Sequence, residues 1–404
     1  MTSEGRLELT PMMTRVPLAL VAIGAIAAVI ALFVNSERVW LNLLVDGFYT
    51  LSIGVSAIFF ITTQRLSSAK WSASIRRVPE AFMLVMPAAV VLMVILGVFG
   101  SRTLYPWTHP HAVDAHKPLP FTPGRVLYLS PVFVYLRMAG ILALWTFFAL
   151  RIRKVSIAAD ASREAGLGAH RSLNRYAGAF APIFAITIAM AAYDWLISLE
   201  PQWFSTMYSV YVFAGCFVQG IAAIALTTVT LARRGSLGPK FQMIGLEPIH
   251  TLGTMILAFC TFWAYIWVCQ YLLIWYGNIP EEAPWYLART HGSWLPVFLL
   301  SFVINWIIPF FVLLPRVNKR NLKVMAGISI LVLFGRWLDL YILVMPSHWP
   351  SFTIGPLEIA MAAGTGGLIY LLVVRALSRA PLVPTHEPIV AARRAHAHAH
   401  GGSS

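Results

Sequence analysis

The sequence predicts an all-α integral membrane protein with ten transmembrane helices. Three observations predict it. The 404 residues are 58% hydrophobic and only 11% charged, whereas soluble chains carry roughly 25% charged residues. Apolar runs of about 20 residues, each long enough to cross a bilayer, recur along the chain. None has the apolar/polar alternation of an outer-membrane barrel strand. This composition excludes a soluble enzyme, a disordered chain and a disulfide-stapled secreted domain.

The helices are expected near 16–34, 40–62, 82–100, 129–150, 176–198, 207–232, 250–276, 292–314, 322–345 and 355–374, each bounded by charged, Pro-rich or Gly-rich loops. Helix 1 follows Arg6 and Arg15 and so resembles a signal peptide. It ends in Asn35, Ser36, Glu37 and Arg38 rather than at a small-residue cleavage site, so it is read as a retained span. Helices 3 and 4 are separated by a loop over about 101–128, and helices 4 and 5 by one over about 151–175. Residues 1–15 form a short N-terminus, 16–375 a single membrane domain, and 376–404 a tail expected to be disordered. The tail's His396, His398 and His400 could bind a metal only weakly.

Charge sets the orientation. Of the 30 Lys and Arg residues, 23 fall on one set of loops and termini and 5 on the other, while Arg137 and Arg336 lie inside helices. Basic residues are retained in cytoplasmic loops, so both termini are expected in the cytoplasm. The net charge of +14 then reads as a topology signal rather than as nucleic-acid binding. Trp40, Tyr105, Trp107, Trp203, Tyr208, Trp285, Tyr286, Trp294 and Trp349 fall at the opposite ends of the helices. They are expected to form an interfacial belt and to offer a docking surface for a partner outside the membrane.

Two stretches repeat. Asp194-Trp-Leu-Ile-Ser-Leu-Glu-Pro201 ends helix 5, and Asp339-Leu-Tyr-Ile-Leu-Val-Met-Pro346 ends helix 9. One helix earlier, Pro131-Val132-Phe133 matches Pro296-Val297-Phe298, and Arg151 and Lys154 match Arg316 and Lys319. Helices 2–5 (about 40–198) and 6–9 (about 207–345) therefore read as two copies of a four-helix bundle, flanked by helices 1 and 10. Four is an even number, so the copies run parallel.

Ionisable groups at membrane depth are costly and are usually functional or paired. Here they are Asp46, Arg137, Asp194, Arg336, Asp339 and Glu358, all expected toward the outer half. Arg336 and Asp339 are three apart, share a helix face and can pair. Asp46 is expected near the interface. Asp194 has no sequence-near basic partner, which makes it the leading candidate for proton exchange, because an unpaired buried carboxyl can exchange protons near neutral pH. Glu247 and His250 sit three apart at the cytoplasmic start of helix 7, where they could form an inner mouth for protons.

Other chemistries lack their residues. His250 and His291 lie near helices on opposite sides of the membrane, so they cannot form a haem pair. There is no C-x-x-C-H and no cysteine set for an iron–sulfur cluster. Cys216, Cys260 and Cys269 are dispersed and read as packing residues. No metal site, P-loop, nucleophile elbow or metalloprotease motif appears. No cofactor held covalently or by metal ligands is expected in this chain.

Two long motifs carry a resemblance that extends over about 15–375. One is Tyr193-Asp-Trp-Leu-Ile-Ser-Leu-Glu-Pro-Gln-Trp-Phe-Ser-Thr-Met-Tyr-Ser-Val-Tyr-Val-Phe-Ala-Gly215. The other is Phe262-Trp-Ala-Tyr-Ile-Trp-Val-Cys-Gln-Tyr-Leu-Leu-Ile-Trp-Tyr-Gly-Asn-Ile-Pro-Glu-Glu282, with Trp285-Tyr286 and Gly292-Ser293-Trp294 after it. Together they resemble the smaller NrfD-like, polysulfide-reductase-type membrane subunit of bacterial alternative complex III. The resemblance implies ten helices in two four-helix bundles within a cytoplasmic (inner) membrane. It also implies a respiratory complex that oxidises menaquinol or ubiquinol. Electrons would pass through periplasmic iron–sulfur and multihaem cytochrome c subunits to cytochrome c or a terminal oxidase. The implied partners are those subunits and a larger NrfD-like sister, which holds the better-supported quinol pocket.

The mechanistic expectation is a proton route. Its inner half would use Glu247 and His250. Its outer half would use Asp194, Arg137, Arg336 and Asp339, with Glu358 or Asp46 toward the periplasm. Gln270, Tyr265 and Tyr271 would bridge the two halves, and quinone contacts would fall near Asp194 and Asp339. The alternatives are a passive membrane scaffold for the periplasmic redox subunits and a stand-alone secondary transporter. A transporter of that kind should show helices broken at mid-depth.

Overall fold

Ten long apolar helices, each sufficient by length and composition to cross a bilayer, make up most of the described residues, and there is no strand among them. The computed structural model describes residues 5–109, 123–235 and 245–384. The spans are α1 (Pro11–Leu32), α2 (Ser36–Leu66), α3 (Arg77–Leu104), α4 (Pro131–Ala158), α5 (Glu164–Leu199), α6 (Tyr208–Arg233), α7 (Glu247–Gly277), α8 (Trp294–Leu313), α9 (Leu322–Ser347) and α10 (Pro356–Ser378). The histidines of the tail lie outside the described residues.

Several helices outrun their apolar cores, because local capping, not hydropathy, decides where a helix starts. α2 begins four residues earlier than expected, where the Asn35 side chain accepts from the Arg38 backbone N–H at 3.1 Å. That satisfies one of the orphan donors of a helix start. α5 begins about three turns early, because Ser162 caps it by accepting from the Ala165 N–H at 3.1 Å. Most of the segment expected as a loop over 151–175 is therefore helical. α8 passes through a π turn at Val303–Ile307 just ahead of Pro309, whose ring and missing N–H disrupt a regular α turn.

The helices pack in the expected two bundles. In the first, α2 packs on α3 and α5, and α4 packs on α5. In the second, α6 packs on α7 and α9, and α7 packs on the latter part of α8. The bundles meet along α2 and α6, flanked reciprocally by α5 on α6 and α9 on α2. This is the arrangement that two parallel copies related by a twofold-like axis along the helices produce. Polar groups tie the seam. The Ser56 hydroxyl donates to the Cys216 carbonyl at 2.8 Å, and Gln219 Nε2 donates to the Tyr49 carbonyl at 2.9 Å.

α1 and α10 form a separate pair outside the bundles, with α10 resting on the start of α3 and on α2. Their crossing depends on small residues. A Cβ on Gly24 would lie 2.8 Å from the Ala360 carbonyl oxygen, and one on Gly367 would lie 2.8 Å from that of Pro17. Close backbone approach of this kind is how helices associate in lipid, where apolar side chains gain little by meeting each other. The far side of α1 is open, with Leu18, Ile23, Ile26 and Ile30 exposed.

Candidate functional site

The charges expected inside the membrane are there, but their partners differ from the expectation. Asp194 is not unpaired. Arg137, 57 residues earlier on α4, grips it in a two-pronged fork: Nε to Oδ2 at 2.8 Å and Nη2 to Oδ1 at 2.9 Å. The guanidinium also lies 3.8 Å over the Tyr128 ring. A bidentate, aromatic-backed arginine is the strong form of an ion pair. It removes the reason for taking Asp194 as the exchangeable group.

In the second bundle, Arg336 and Asp339 pair as expected, Nη2 to Oδ2 at 2.6 Å. The Tyr211 hydroxyl donates to the other carboxylate oxygen, and Trp263 lies 4.9 Å below the guanidinium. The space for the arginine comes from Gly215, where any Cβ would collide with Nη2. Asp194 and Asp339 occupy matching positions of the repeat. Each is engaged by a cation and closed in by aromatic rings. Such surroundings leave neither carboxylate open to a quinone ring seated against it.

Asp46 is the carboxylate left over. It was expected near the interface, but the earlier start of α2 places it about ten residues, or roughly 15 Å at 1.5 Å per residue, inside the helix. It is 3% exposed. Among the described residues the other buried acids, Glu80, Asp194, Asp339 and Glu358, each have an arginine partner. Asp46 has none. Its Oδ1 instead accepts from Trp337 Nε1 at 3.0 Å, and it faces Thr365. It therefore sits where the two bundles and α10 meet.

A cavity of about 350 Å³ begins one turn away. Its wall includes Tyr49 and Ile53, which share the α2 face of Asp46, together with Leu333 of α9 and Ile369 of α10. The Tyr49 hydroxyl donates to the Leu333 carbonyl at 3.0 Å. The cavity is largely apolar, with Thr227, Thr230, Tyr370 and Arg234 as its polar points. Thr230 and Arg234 lie at the basic end of α6, so the space runs from that end toward Asp46.

Both ends of the molecule carry further buried ion pairs. At the aromatic end, Glu358 caps α10 by accepting from the Gly355 N–H at 2.7 Å and takes Arg38 Nε at 2.6 Å and Asn42 Nδ2 at 3.1 Å. These contacts give it a structural part at the α2–α10 junction. Arg289, fully buried, binds Glu200 at 2.8 Å and the Ile342 and Leu343 carbonyls, and lies 3.7 Å over Trp285. The aromatic residues expected as a belt and docking surface are mostly inside. Tyr105, Trp107, Trp203, Tyr208, Trp285, Tyr286 and Trp294 are buried, and Trp203 and Trp285 stack at 4.4 Å. Trp203, Tyr208 and Tyr286 pack on Trp285, the ring that covers Arg289, because a buried guanidinium needs ring faces and carbonyls in place of water.

At the basic end, a cluster escaped the sequence reading, which left Glu80 outside its helix. Glu80 is fully buried and binds Arg76 at 3.1 Å, Arg77 at 2.6 Å and Arg153 at 3.3 Å, while Ser156 donates to it and Asp160 also binds Arg77. Buried charges are thus not confined to the outer half. The run Arg76-Arg77-Val-Pro-Glu80 was the available signal, since i,i+3 and i,i+4 charges share a helix face.

The expected inner mouth and bridge do not join this arrangement. Glu247 and His250 start α7, 16 residues or about 24 Å from Trp263, and His250 faces Arg316, Lys319 and Arg320. Gln270 donates to Ser205 at 3.3 Å. Tyr271 packs on Trp267 and Tyr286, and Tyr265 is exposed on the outer face of α7. The three cysteines are free; Cys216 and Cys260 are buried, as expected of packing residues.

No family model matches the chain, and no curated protein matches it. What the geometry shows is a multi-pass helical membrane protein whose seam holds one cation-free carboxyl beside a cavity that reaches one end. Among the described residues no group of three or more His, Cys, Asp or Glu is placed to hold a metal.

Proposed function

We propose that this chain is the smaller NrfD-like membrane subunit of an alternative-complex-III-type quinol-oxidising complex, and that it moves protons through an inner half-channel headed by Asp46. The two long motifs over 193–215 and 262–282 support the family reading, and so do ten helices in two parallel four-helix bundles. In this reading, quinol oxidation and the iron–sulfur and haem c centres belong to partner subunits. The charge bias supports a reading with both termini in the cytoplasm, and the family reading a bacterial inner-membrane location.

One observation carries the proton role. Asp46 is buried at depth without a cation, and a cavity extends from one turn below it to the basic end. A membrane carboxyl that nothing neutralises is a proton-exchange site by its chemistry. In this reading water enters past Arg234 and Thr230 along the cavity as far as Tyr49, one turn from Asp46, and the Thr365 hydroxyl beside Asp46 passes the proton to it. Arg137–Asp194 and Arg336–Asp339 act as fixed neutral pairs that hold the bundles around this seam.

The test is Asp46→Asn in the reconstituted complex. Proton release per electron is expected to fall while subunit assembly stays intact. Unchanged stoichiometry in an assembled complex overturns the proton role and favours a passive scaffold for the periplasmic redox subunits.

A further inference from the structure

The cavity beside Asp46 is one of two chambers that share a mouth. The other, of about 990 Å³, lies along α1 and α10 and reaches Arg234 just past the end of α6. Leu7, Met13, Arg234, Gly366 and Tyr370 line both spaces.

The inner chamber has the dimensions of a lipid chain. Its α6 wall is one helix face, Ala223, Leu226, Thr227, Thr230 and Leu231, carried on by Arg234. Ala223 and Arg234 are 11 residues apart, or about 16 Å at 1.5 Å per residue. The hydrocarbon of a bilayer is roughly 30 Å thick, so the chamber runs the depth of one leaflet. Ile53, Phe82, Ile369 and Val373 complete its apolar wall, and all four are buried. The outer chamber is lined by Val16, Pro17 and Leu20 of α1 with Ala363 and Gly367 of α10. Val16 is exposed, so this side is open to a second chain.

The mouth is polar. Arg234 Nη1 donates to the Met13 sulfur at 3.8 Å, and no carboxylate pairs with Arg234 among the described residues. Arg6 and Glu8, which line the outer chamber, are opposite in sign and both already engaged. Arg234 is therefore the cation left for an anion. It stands at the end of the membrane spans, the level of lipid headgroups, and a guanidinium matches the geometry of a phosphate.

We propose that this cleft holds one diacyl phospholipid. Its phosphate meets Arg234 and the Tyr370 hydroxyl, one acyl chain fills the inner chamber toward Tyr49, and the other lies in the outer chamber along α1 and α10. The assignment rests on the cleft and not on the proton role of Asp46. In that reading the chain and the water of the half-channel occupy the same space, so a seated lipid closes the route and its departure opens it.

The test is photo-crosslinking of the delipidated full chain with phosphatidylglycerol that carries a diazirine at the end of one acyl chain. Adducts are mapped by peptide mass spectrometry. They are expected on residues 49–53 of α2 and at Leu333, saturating at one lipid per chain. Lipid around the outside meets outward residues such as Leu18 and Ile26, and adducts confined to those overturn the proposal. Diacylglycerol with the same chain lacks the phosphate. It is expected to need about tenfold higher concentration for the same deep labelling, as loss of one charge-assisted contact implies. Equal deep labelling by diacylglycerol overturns the proposal, leaving an apolar cavity. Equal deep labelling by a photoreactive fatty acid also overturns it, leaving a single-chain site. None of these comparisons needs a variant to fold. Arg234→Gln is expected to erase the difference between phospholipid and diacylglycerol, and a difference that survives overturns the phosphate contact. Crosslinking does not read protons, so failure here and failure of the Asp46 reading are separate results.

Discussion

Asp194 and Asp46 exchange roles between sequence and structure, and distance along the chain explains why. Arg336 and Asp339 are one turn apart, so their pairing was legible. Arg137 and Asp194 are 57 residues apart on different helices, and no local rule links them. The pairing has a measurable consequence. Asp194→Asn leaves Arg137 buried without its counter-charge, a change that typically costs about 3–5 kcal/mol. Thermal unfolding of the purified protein should show a large destabilisation, and the double variant Arg137→Gln/Asp194→Asn should recover much of it. A double variant no more stable than the single would mean that the pair is not coupled. Asp46→Asn, by contrast, replaces a group with no cation partner and should leave unfolding nearly unchanged.

At the scale of elements, the number of helices and their order were legible from hydropathy alone. Their ends were not, because capping by Asn35 and Ser162 extends helices past the last apolar residue. The four-residue shift at α2 moves Asp46 from the interface to the interior, so a boundary error hid which carboxyl lies buried without a cation. The aromatic ends misled for a related reason. A tryptophan at a span terminus has the same sequence signature whether it faces headgroups or folds inward over an arginine. The α1–α10 pair yields its own prediction. Gly24→Val should push α1 off α10, because the added Cβ meets unyielding backbone there, the Ala360 carbonyl oxygen at 2.8 Å and Gly364 Cα at 3.0 Å. A cost of about 1–3 kcal/mol is expected, as for other overpacked contacts. Disulfide trapping between cysteines placed on α1 and α10 should then become less efficient, while the eight bundle helices remain folded. Trapping at the original rate would show that the crossing tolerates a side chain.

At the scale of the whole molecule, the repeat was visible because two acid-to-proline stretches keep their spacing. The seam between the copies was not visible, since it depends on which faces of α2 and α6 meet. The orientation proposed from the uneven distribution of Lys and Arg can be checked directly. Ser351 and Ser67 are exposed at opposite ends. In a chain with Cys269→Ala, a Ser351→Cys variant should react with an impermeant maleimide added outside intact spheroplasts. A Ser67→Cys variant should react only in inverted vesicles. The reverse pattern would place the termini outside and turn the proposed half-channel around.

The two copies also differ mechanically. In the first bundle the charge pair is a cross-brace, with its arginine on α4 and its aspartate on α5, so separating those helices means parting two buried ions. In the second bundle both ions ride on α9 and are steadied by Tyr211 of α6. The helix corresponding to α4 is α8, which contributes no charge and contains the π turn ahead of Pro309. It can shift against α9 without breaking an ion pair. The protein therefore has one braced half and one compliant half, and movement between them falls on the seam where Asp46 sits.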